Sequence, residues 1–310
     1  FWHIPWPAAD VFRACPQRRE LLRGLLANDL LGFHTERYCE NFLECVAEEF
    51  DDAVVARKTG RVRLDGHATT VRAFPMGVDA DDIGRLAAAS DGTFWRRFRR
   101  EHGIDGDTRV ALGVDRLDYT KGIPRRLQGL EKLWELRPEW RGKLTYVQKG
   151  SESRSGIDAY RDHQEHIREE IARINERFGT DEWTPIVYTE EMYSREELVS
   201  LYRHSDIGLV TPIRDGMNLV AKEYVAAQVD DDGVLVLSDL AGAWETLKSK
   251  GALTVTPFDP ESMATTIETA LTMSDDDRRR RMRSLRREVG RRDIYRWMED
   301  FFGTARRIQT

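Results

Sequence analysis

Five short apolar runs, each followed by a helical segment, constrain what this chain can fold into more than any other feature of its sequence. Val110-Ala111-Leu112-Gly113-Val114 leads through a loop to a helical pattern over 124–136, and Leu144-Thr145-Tyr146-Val147 precedes a long charged helix around 160–178. Pro185-Ile186-Val187-Tyr188 precedes a helix at 194–203, Ile207-Gly208-Leu209-Val210 precedes one at 219–229, and Val234-Leu235-Val236-Leu237 leads to the region of Trp244. Strands alternating with helices indicate right-handed βαβ units and a parallel sheet covered on both faces. A Rossmann-like domain is therefore expected from about 80 to 275, with ligands beyond the carboxyl ends of its strands.

The rest of the chain reads differently. Residues 10–50 are expected to form helices joined by a short strand: Leu21, Leu22, Leu25 and Leu26 recur at helical spacing until Leu30-Leu31-Gly32-Phe33 breaks the pattern. From 54 to 71 the pattern alternates as strands, punctuated by Gly60 and Asp65-Gly66, and Phe74-Pro75-Met76-Gly77-Val78-Asp79 marks a domain boundary. A chain of 310 residues has room for two domains at roughly 150 each. At the other end, Ser274 is an N-cap candidate, followed by Asp275, Asp276 and Asp277 in a first turn and by Arg278 to Arg281.

Charge and cysteine content exclude several classes. With 54 acidic against 48 basic residues, a net charge of −6 and a pI near 5.8, a dedicated nucleic-acid binder is not expected. Cys15, Cys39 and Cys45 fit no metal-ligand spacing and no CxxC pair, so a reducing cytoplasm is their simplest home. No apolar run approaches the roughly 18 residues of a membrane span, and no partner membrane is expected. The first residue is Phe1 rather than Met, from which N-terminal elements are expected to precede this sequence.

Two loops carry candidate chemistry. After the first strand of the Rossmann-like segment, Arg116 and Lys121 stand five residues apart close to a helix N-terminus, a combination suited to a phosphate or diphosphate. A plainer reading pairs Arg116 with Asp115 or Asp118 and leaves Lys121 solvated. The loop is neither a Walker A sequence nor a GxGxxG fingerprint. After the fourth strand, Asp215-Gly216-Met217-Asn218-Leu219 forms a tight turn into a helix, with Glu223 two turns further on. A carboxylate in the turn can bind sugar hydroxyls, and one deeper in the helix can accept from a ribose diol. On spacing alone, Asp215 as an N-cap and Glu223 as a surface acid stand beside that reading.

Taken together, these strings resemble the trehalose-6-phosphate synthases, retaining glycosyltransferases with two facing Rossmann-like domains (GT-B). The resemblance runs through nearly the whole chain: His3-Ile4-Pro5-Trp6-Pro7, Leu31-Gly32-Phe33-His34-Thr35, Phe74 to Asp79, Arg116 to Gly122, Gly179 to Pro185 with Trp183, and above all SDIGLVTPIRDGMNLVAKEYVAAQ from Asp206's preceding serine to Gln228. It implies an α/β fold in which 1–77 is the remaining part of an acceptor-side N-terminal domain, 78–287 the nucleotide-sugar donor domain, and 288–310 a C-terminal helix packing back on the first domain. That helix has Ile294, Trp297, Met298, Phe301 and Phe302 on one face.

By the same resemblance, Arg116 and Lys121 hold the donor diphosphate, Glu223 the ribose, and Asp215 the glucose hydroxyls with the backbone at Gly216, Met217 and Asn218. Leu219 meets the nucleotide through its main chain. His3 sits against the donor sugar, although a lone His in an apolar string otherwise reads as a core residue. Arg154 contacts the phosphate of the acceptor, glucose 6-phosphate. Tyr193 falls beside the nucleotide base, with a packing aromatic as the plainer reading. Gln148-Lys149-Gly150-Ser151-Glu152 departs from the family's more apolar, proline-containing run.

Retention could in principle use a carboxylate nucleophile; the resemblance further implies a reaction that moves glucose from UDP-glucose or a similar donor to glucose 6-phosphate by a front-face route. It needs no enzymatic nucleophile and no cofactor; the reading is metal-independent, and Asp230-Asp231-Asp232 is a hydrophilic turn. Expected partners are a nucleotide sugar and a sugar phosphate, with a homo-oligomer allowed. A relative acting on another phosphorylated acceptor, or a noncatalytic sugar-nucleotide sensing module, would keep most of these strings.

Overall fold

A computed structural model of the protein describes residues 1–151 and 158–309. The chain forms two compact units, Phe1–Gly77 with Arg292–Thr310, and Val78–Arg291.

The first unit holds a four-stranded sheet of β1 (Leu30–Phe33), β2 (Val54–Ala56), β3 (Arg61–Leu64) and β4 (His67–Ala73) in the order β1-β4-β3-β2. β1 runs parallel to β4, reached through the helix Glu36–Glu49, whereas β2, β3 and β4 pair antiparallel. Trp6, Phe12, Phe33, Phe42 and Phe50 fill its core, with Trp6 and Phe42 edge to face at 5.0 Å between ring centres.

The C-terminal helix Ile294–Gln309 belongs to this unit: Trp297 donates its indole N–H to the Phe74 carbonyl (3.1 Å), and Phe301 packs on Phe74. Its apolar face is narrower than the sequence suggests, since Met298 and Phe302 are exposed while Ile294, Trp297 and Phe301 are half-buried. Residues at i, i+3 and i+7 make that inner stripe, and 298 and 302 flank it.

The second unit is built on six parallel strands: β5 (Arg109–Arg116), β6 (Leu144–Ser151), β7 (Ile186–Thr189), β8 (Ile207–Val210), β9 (Val234–Ser238) and β10 (Leu253–Val255), in the order β10-β9-β8-β5-β6-β7. Side chains alternate between faces, so Val110, Leu112, Leu235 and Leu237 enter one core while Ala111, Leu144, Val234 and Val236 enter the other. The first strand, β5, lies in the middle and winding proceeds outward on both sides, which opens a crevice at the carboxyl ends of β5 and β8. β10, three residues long, is not foreseen by the sequence reading.

Helix starts follow ordinary capping. Asp79 accepts from Asp82 N (2.9 Å), Asp259 caps the helix Pro260–Thr272, and Ser194 and Glu197 form a capping box. The helix Asp275–Arg291 continues beyond the expected break at 287, because Glu288 and Val289 are buried against this unit, and the chain changes units at Arg292. No helix among the described residues is long and apolar enough to cross a membrane.

Candidate functional site

Three loops converge at the carboxyl ends of the central strands in the second unit. Arg116 is the last residue of β5 and is exposed. Asp118 turns its carboxylate inward, accepting from Thr120 N and Oγ1, both at 2.8 Å, and so shapes the short turn Tyr119–Lys121. Gly122 then opens the helix Ile123–Leu136 with φ +67°, and a Cβ there would lie 2.7 Å from the Thr211 carbonyl oxygen. Left-handed backbone and close approach to the next loop both require glycine at that point. Ile213 N and Arg214 N donate to the Thr120 carbonyl at 2.9 and 3.2 Å, knitting the β5 and β8 loops together.

The β8 loop carries Asp215. Lys121 Nζ lies 2.5 Å from Asp215 Oδ2, and both side chains are about 15% exposed (14% and 15%). Asn218 Nδ2 donates to the same oxygen at 3.0 Å. Asn218 adopts φ +68° and caps the helix Leu219–Ala227, its Oδ1 accepting from Ala221 N at 3.1 Å. Asp215 is thus not the helix cap; that role falls to Asn218, and the Asp215 carboxylate faces Lys121.

The β9 loop completes the platform. Asp215 N donates to Leu240 O, Gly242 N to Asp215 O (3.1 Å) and Ala243 N to Met217 O (2.7 Å). A Cβ on Gly242 would stand 2.0 Å from the Gly216 carbonyl oxygen, so backbone meets backbone there. Gly216 and Met217 are buried, Leu219 is half-buried.

The plainer readings of the β5 loop do not hold. Asp115 pairs with Arg126 (2.6 Å) and Asp118 is engaged by Thr120, while the Arg116 guanidinium makes no ion pair among the described residues. Arg116, Lys121 and the starts of two helices thus stand together at the carboxyl ends of β5 and β8, an arrangement suited to a multiply charged anion.

Glu223 is half-buried rather than a surface acid. Burial raises its carboxyl above the ordinary range, opposed by the hydrogen bond from Tyr202 Oη (3.1 Å to Oε2) and by the charge of Arg195. Burial, and then Glu223 itself, pushes the Tyr202 phenol well up, so Tyr202 remains a donor.

Tyr193 packs edge-on to Phe94 at 5.5 Å between ring centres, and its hydroxyl lies 3.1 Å from Thr189 Oγ1 at the end of β7. Its ring is engaged in packing. His3 belongs to the first unit, where it is exposed with its ring edge-on to Phe1 and His34, not a core residue. Arg154 lies outside the described residues.

Sequence reasoning passed over Tyr202, and also Arg126 with its partners Asp115, Tyr146, Gln148 and Thr211. A signal for Arg126 exists: it falls in the stripe Ile123, Leu127, Leu130, Trp134, all buried, and a charge in such a stripe must find partners. A surface groove lined by Asp231, Asp276 and four arginines from Arg280 to Arg287 lies on the helix Asp275–Arg291, not at the strand ends. Among the described residues, no three His, Cys, Asp or Glu side chains gather as a metal site would require.

A family model described as glycosyltransferase family 20 matches residues 1–307. The chain is 38% identical over 314 residues to a trehalose-6-phosphate synthase of Sodalis glossinidius, covering 99% of this chain and 64% of that protein. It is also similar to a solved structure described as trehalose-6-phosphate from E. coli bound with UDP-2-fluoro glucose, with a TM-score of 0.92 and 38% identity over 98% of this chain and 66% of that one. An alpha,alpha-trehalose-phosphate synthase (UDP-forming) from Burkholderia xenovorans, in complex with glucose-6-phosphate, matches with a TM-score of 0.92 and 37% identity, covering 100% of this chain and 68% of that one. The chain thus spans just under two thirds of the curated Sodalis protein's length.

Proposed function

The chain belongs to glycosyltransferase family 20, and on that premise we propose that the protein transfers glucose from UDP-glucose to glucose 6-phosphate, forming trehalose 6-phosphate. The observation that carries the reading is the meeting of the Arg116–Lys121 loop with the Asp215 loop at the strand-order switch. The names of the Sodalis relative and the Burkholderia structure, with the UDP-2-fluoro glucose and glucose-6-phosphate reported in solved structures, support it.

Arg116 and Lys121 neutralise the donor diphosphate, whose charge grows as the glycosidic C–O bond breaks, and the helix start at Leu219 adds its free N–H groups. Asp215, fixed by Lys121 and Asn218, accepts from glucose hydroxyls. Glu223, held by Tyr202, accepts from the ribose diol. The acceptor hydroxyl attacks the anomeric carbon from the face the nucleotide leaves, and its proton passes to the departing phosphate oxygen. No side chain has to act as nucleophile, and the cations Arg116 and Lys121 supply the charge stabilisation without calling on a divalent ion. His3 and Arg154 are assigned to the donor sugar and the acceptor phosphate, and Tyr193 to the edge of the base. A cytoplasmic enzyme, with a homo-oligomer allowed, completes the reading.

Calorimetric titration with UDP, GDP and ADP, repeated on Arg116→Ala, tests it. Saturable UDP binding that the variant loses is the expected result. Failure of all three nucleotides to bind would overturn the donor-site assignment. Product analysis with glucose 6-phosphate against glycerol 3-phosphate then decides the acceptor.

A further inference from the structure

Arg126 is fully buried in the helix that follows the β5 loop, yet its guanidinium reaches three other elements. Nη1 donates to Asp115 Oδ2 (2.6 Å), Tyr146 Oη (2.9 Å) and Gln148 Oε1 (3.0 Å), and Nε donates to Thr211 Oγ1 (2.9 Å). Tyr146 in turn donates to Gln148 Oε1 at 2.5 Å. Gly113 makes room for the group, since a Cβ there would stand 2.2 Å from Tyr146 Oη and 2.5 Å from Arg126 Nη1.

The partners' places in the chain matter more than their number. Asp115 immediately precedes Arg116 on β5, and Thr211 is the first residue after β8, four before Asp215. One rigid fork therefore ties the two strand ends that launch the two loops of the donor site. Buried ion pairs of this kind seldom add net stability over well-packed apolar groups. Arg126 Nη2 is buried without a hydrogen-bond partner among the described residues, which makes pure stabilisation a still weaker account. What the fork supplies that an apolar side chain would not is a fixed separation across the crevice.

We propose that Arg126 is a positioning residue that sets the spacing between the Arg116–Lys121 cations and Asp215, and so decides how much binding the donor's glucosyl group adds to that of its nucleotide. The proposal rests on the donor-site reading above. It predicts that weakening the fork misplaces the sugar against Asp215 while the diphosphate still finds its cations.

The test measures UDP and UDP-glucose affinities by calorimetry for the unaltered protein, Arg126→Lys and Thr211→Val, with a thermal melt of each. Lysine keeps the charge but cannot span Asp115 and Thr211 together; valine removes one hydrogen bond and leaves the Asp115 pair in place. The ratio of the two affinities, taken on folded protein, is insensitive to stability. In Arg126→Lys the advantage of UDP-glucose over UDP is expected to fall by about tenfold, and in Thr211→Val by about threefold in the same direction. Unchanged ratios accompanied only by lower melting temperatures would overturn the proposal, and if the lysine variant does not fold, the valine variant decides alone. An unaltered protein that binds neither ligand would instead bring down the donor-site reading, and this inference with it.

Discussion

Lys121 and Asp215, 94 residues apart in the chain, form an ion pair that bridges the loops after β5 and β8. The pair joins a cation suited to a phosphate with a carboxylate suited to sugar hydroxyls, so the two substitutions are expected to separate in their effects. Lys121→Ala should weaken UDP binding by roughly 10- to 100-fold, the span of about 1.5–3 kcal/mol for a hydrogen bond to a charged group. Asp215→Asn should leave UDP affinity within about threefold yet abolish most glucosyl transfer, because the contact proposed for Asp215 is to the sugar and not to the nucleotide. Calorimetry and a coupled UDP-release assay check both; equal loss of UDP affinity in the two variants would contradict the division of labour.

Glu223 predicts a pH dependence with a definite direction. Its carboxyl is raised by burial, so the ionised form proposed to accept from a ribose diol disappears at a higher pH than for an ordinary carboxylate. UDP affinity should fall on acidification with a step that Glu223→Gln lacks. Tyr202→Phe removes the hydrogen bond that favours the ionised form and should move that step further up. Because the folded-state value lies above the unfolded one, neutral Glu223 contributes stability below the unfolded value, and this is lost as pH rises through the folded one. Glu223→Gln should therefore gain melting temperature relative to the unaltered protein on going from acid to neutral pH. Titrations and melts between pH 4 and 8 decide, and coincident profiles for all three proteins would refute the assignment.

How far the sequence could be read follows from where its signals come from. β5 to β9 were legible because burial on both faces makes each strand a continuous apolar run, whereas three residues of β10 are too few to stand out. Arg116, Lys121, Asp215 and Glu223 could be picked from loop chemistry and resemblance. Their partners could not: Tyr202 lies 21 residues before Glu223, and Thr211 lies 85 after Arg126. Such pairings are set by strand order, which no local pattern encodes. The helix Asp275–Arg291 runs four residues past the expected boundary at 287 for a similar reason. Gly290 is a weak helix former that the helix nonetheless runs through, and the burial of Glu288 and Val289 shows which unit holds these residues.

Asn218 combines a left-handed backbone with a side chain that caps one helix and donates to Asp215. Asn218→Ala loses the cap and strains the backbone, each worth about 1 kcal/mol. Asn218→Gly loses the side chain but relieves the strain, so in urea melts it should be the more stable of the two despite being the smaller residue. Asn218→Asp keeps a capping oxygen but sets a second carboxylate against Asp215, and should lower glucosyl transfer more than stability. An alanine variant as stable as the glycine one would show that the φ of +68° is not what this position demands.

Gly242 tests whether the third loop is part of the same platform. Its Cα faces the Gly216 carbonyl so closely that an added methyl would meet that oxygen at 2.0 Å, and the obstacle is backbone, which yields only if a loop moves. Gly242→Ala must therefore push the β9 loop away from residues 215–217, stretching the hydrogen bonds Gly242 N to Asp215 O and Ala243 N to Met217 O. Overpacking of this kind costs about 1–3 kcal/mol. The control is Gly290→Ala, in the helix Asp275–Arg291, where a Cβ meets nothing within 4 Å and helix propensity favours alanine. Gly242→Ala should lose both stability and UDP-glucose affinity, while Gly290→Ala should hold or gain stability with affinity unchanged. Retained affinity in Gly242→Ala despite a lowered urea midpoint would mean that the β9 loop supports the fold without shaping the site.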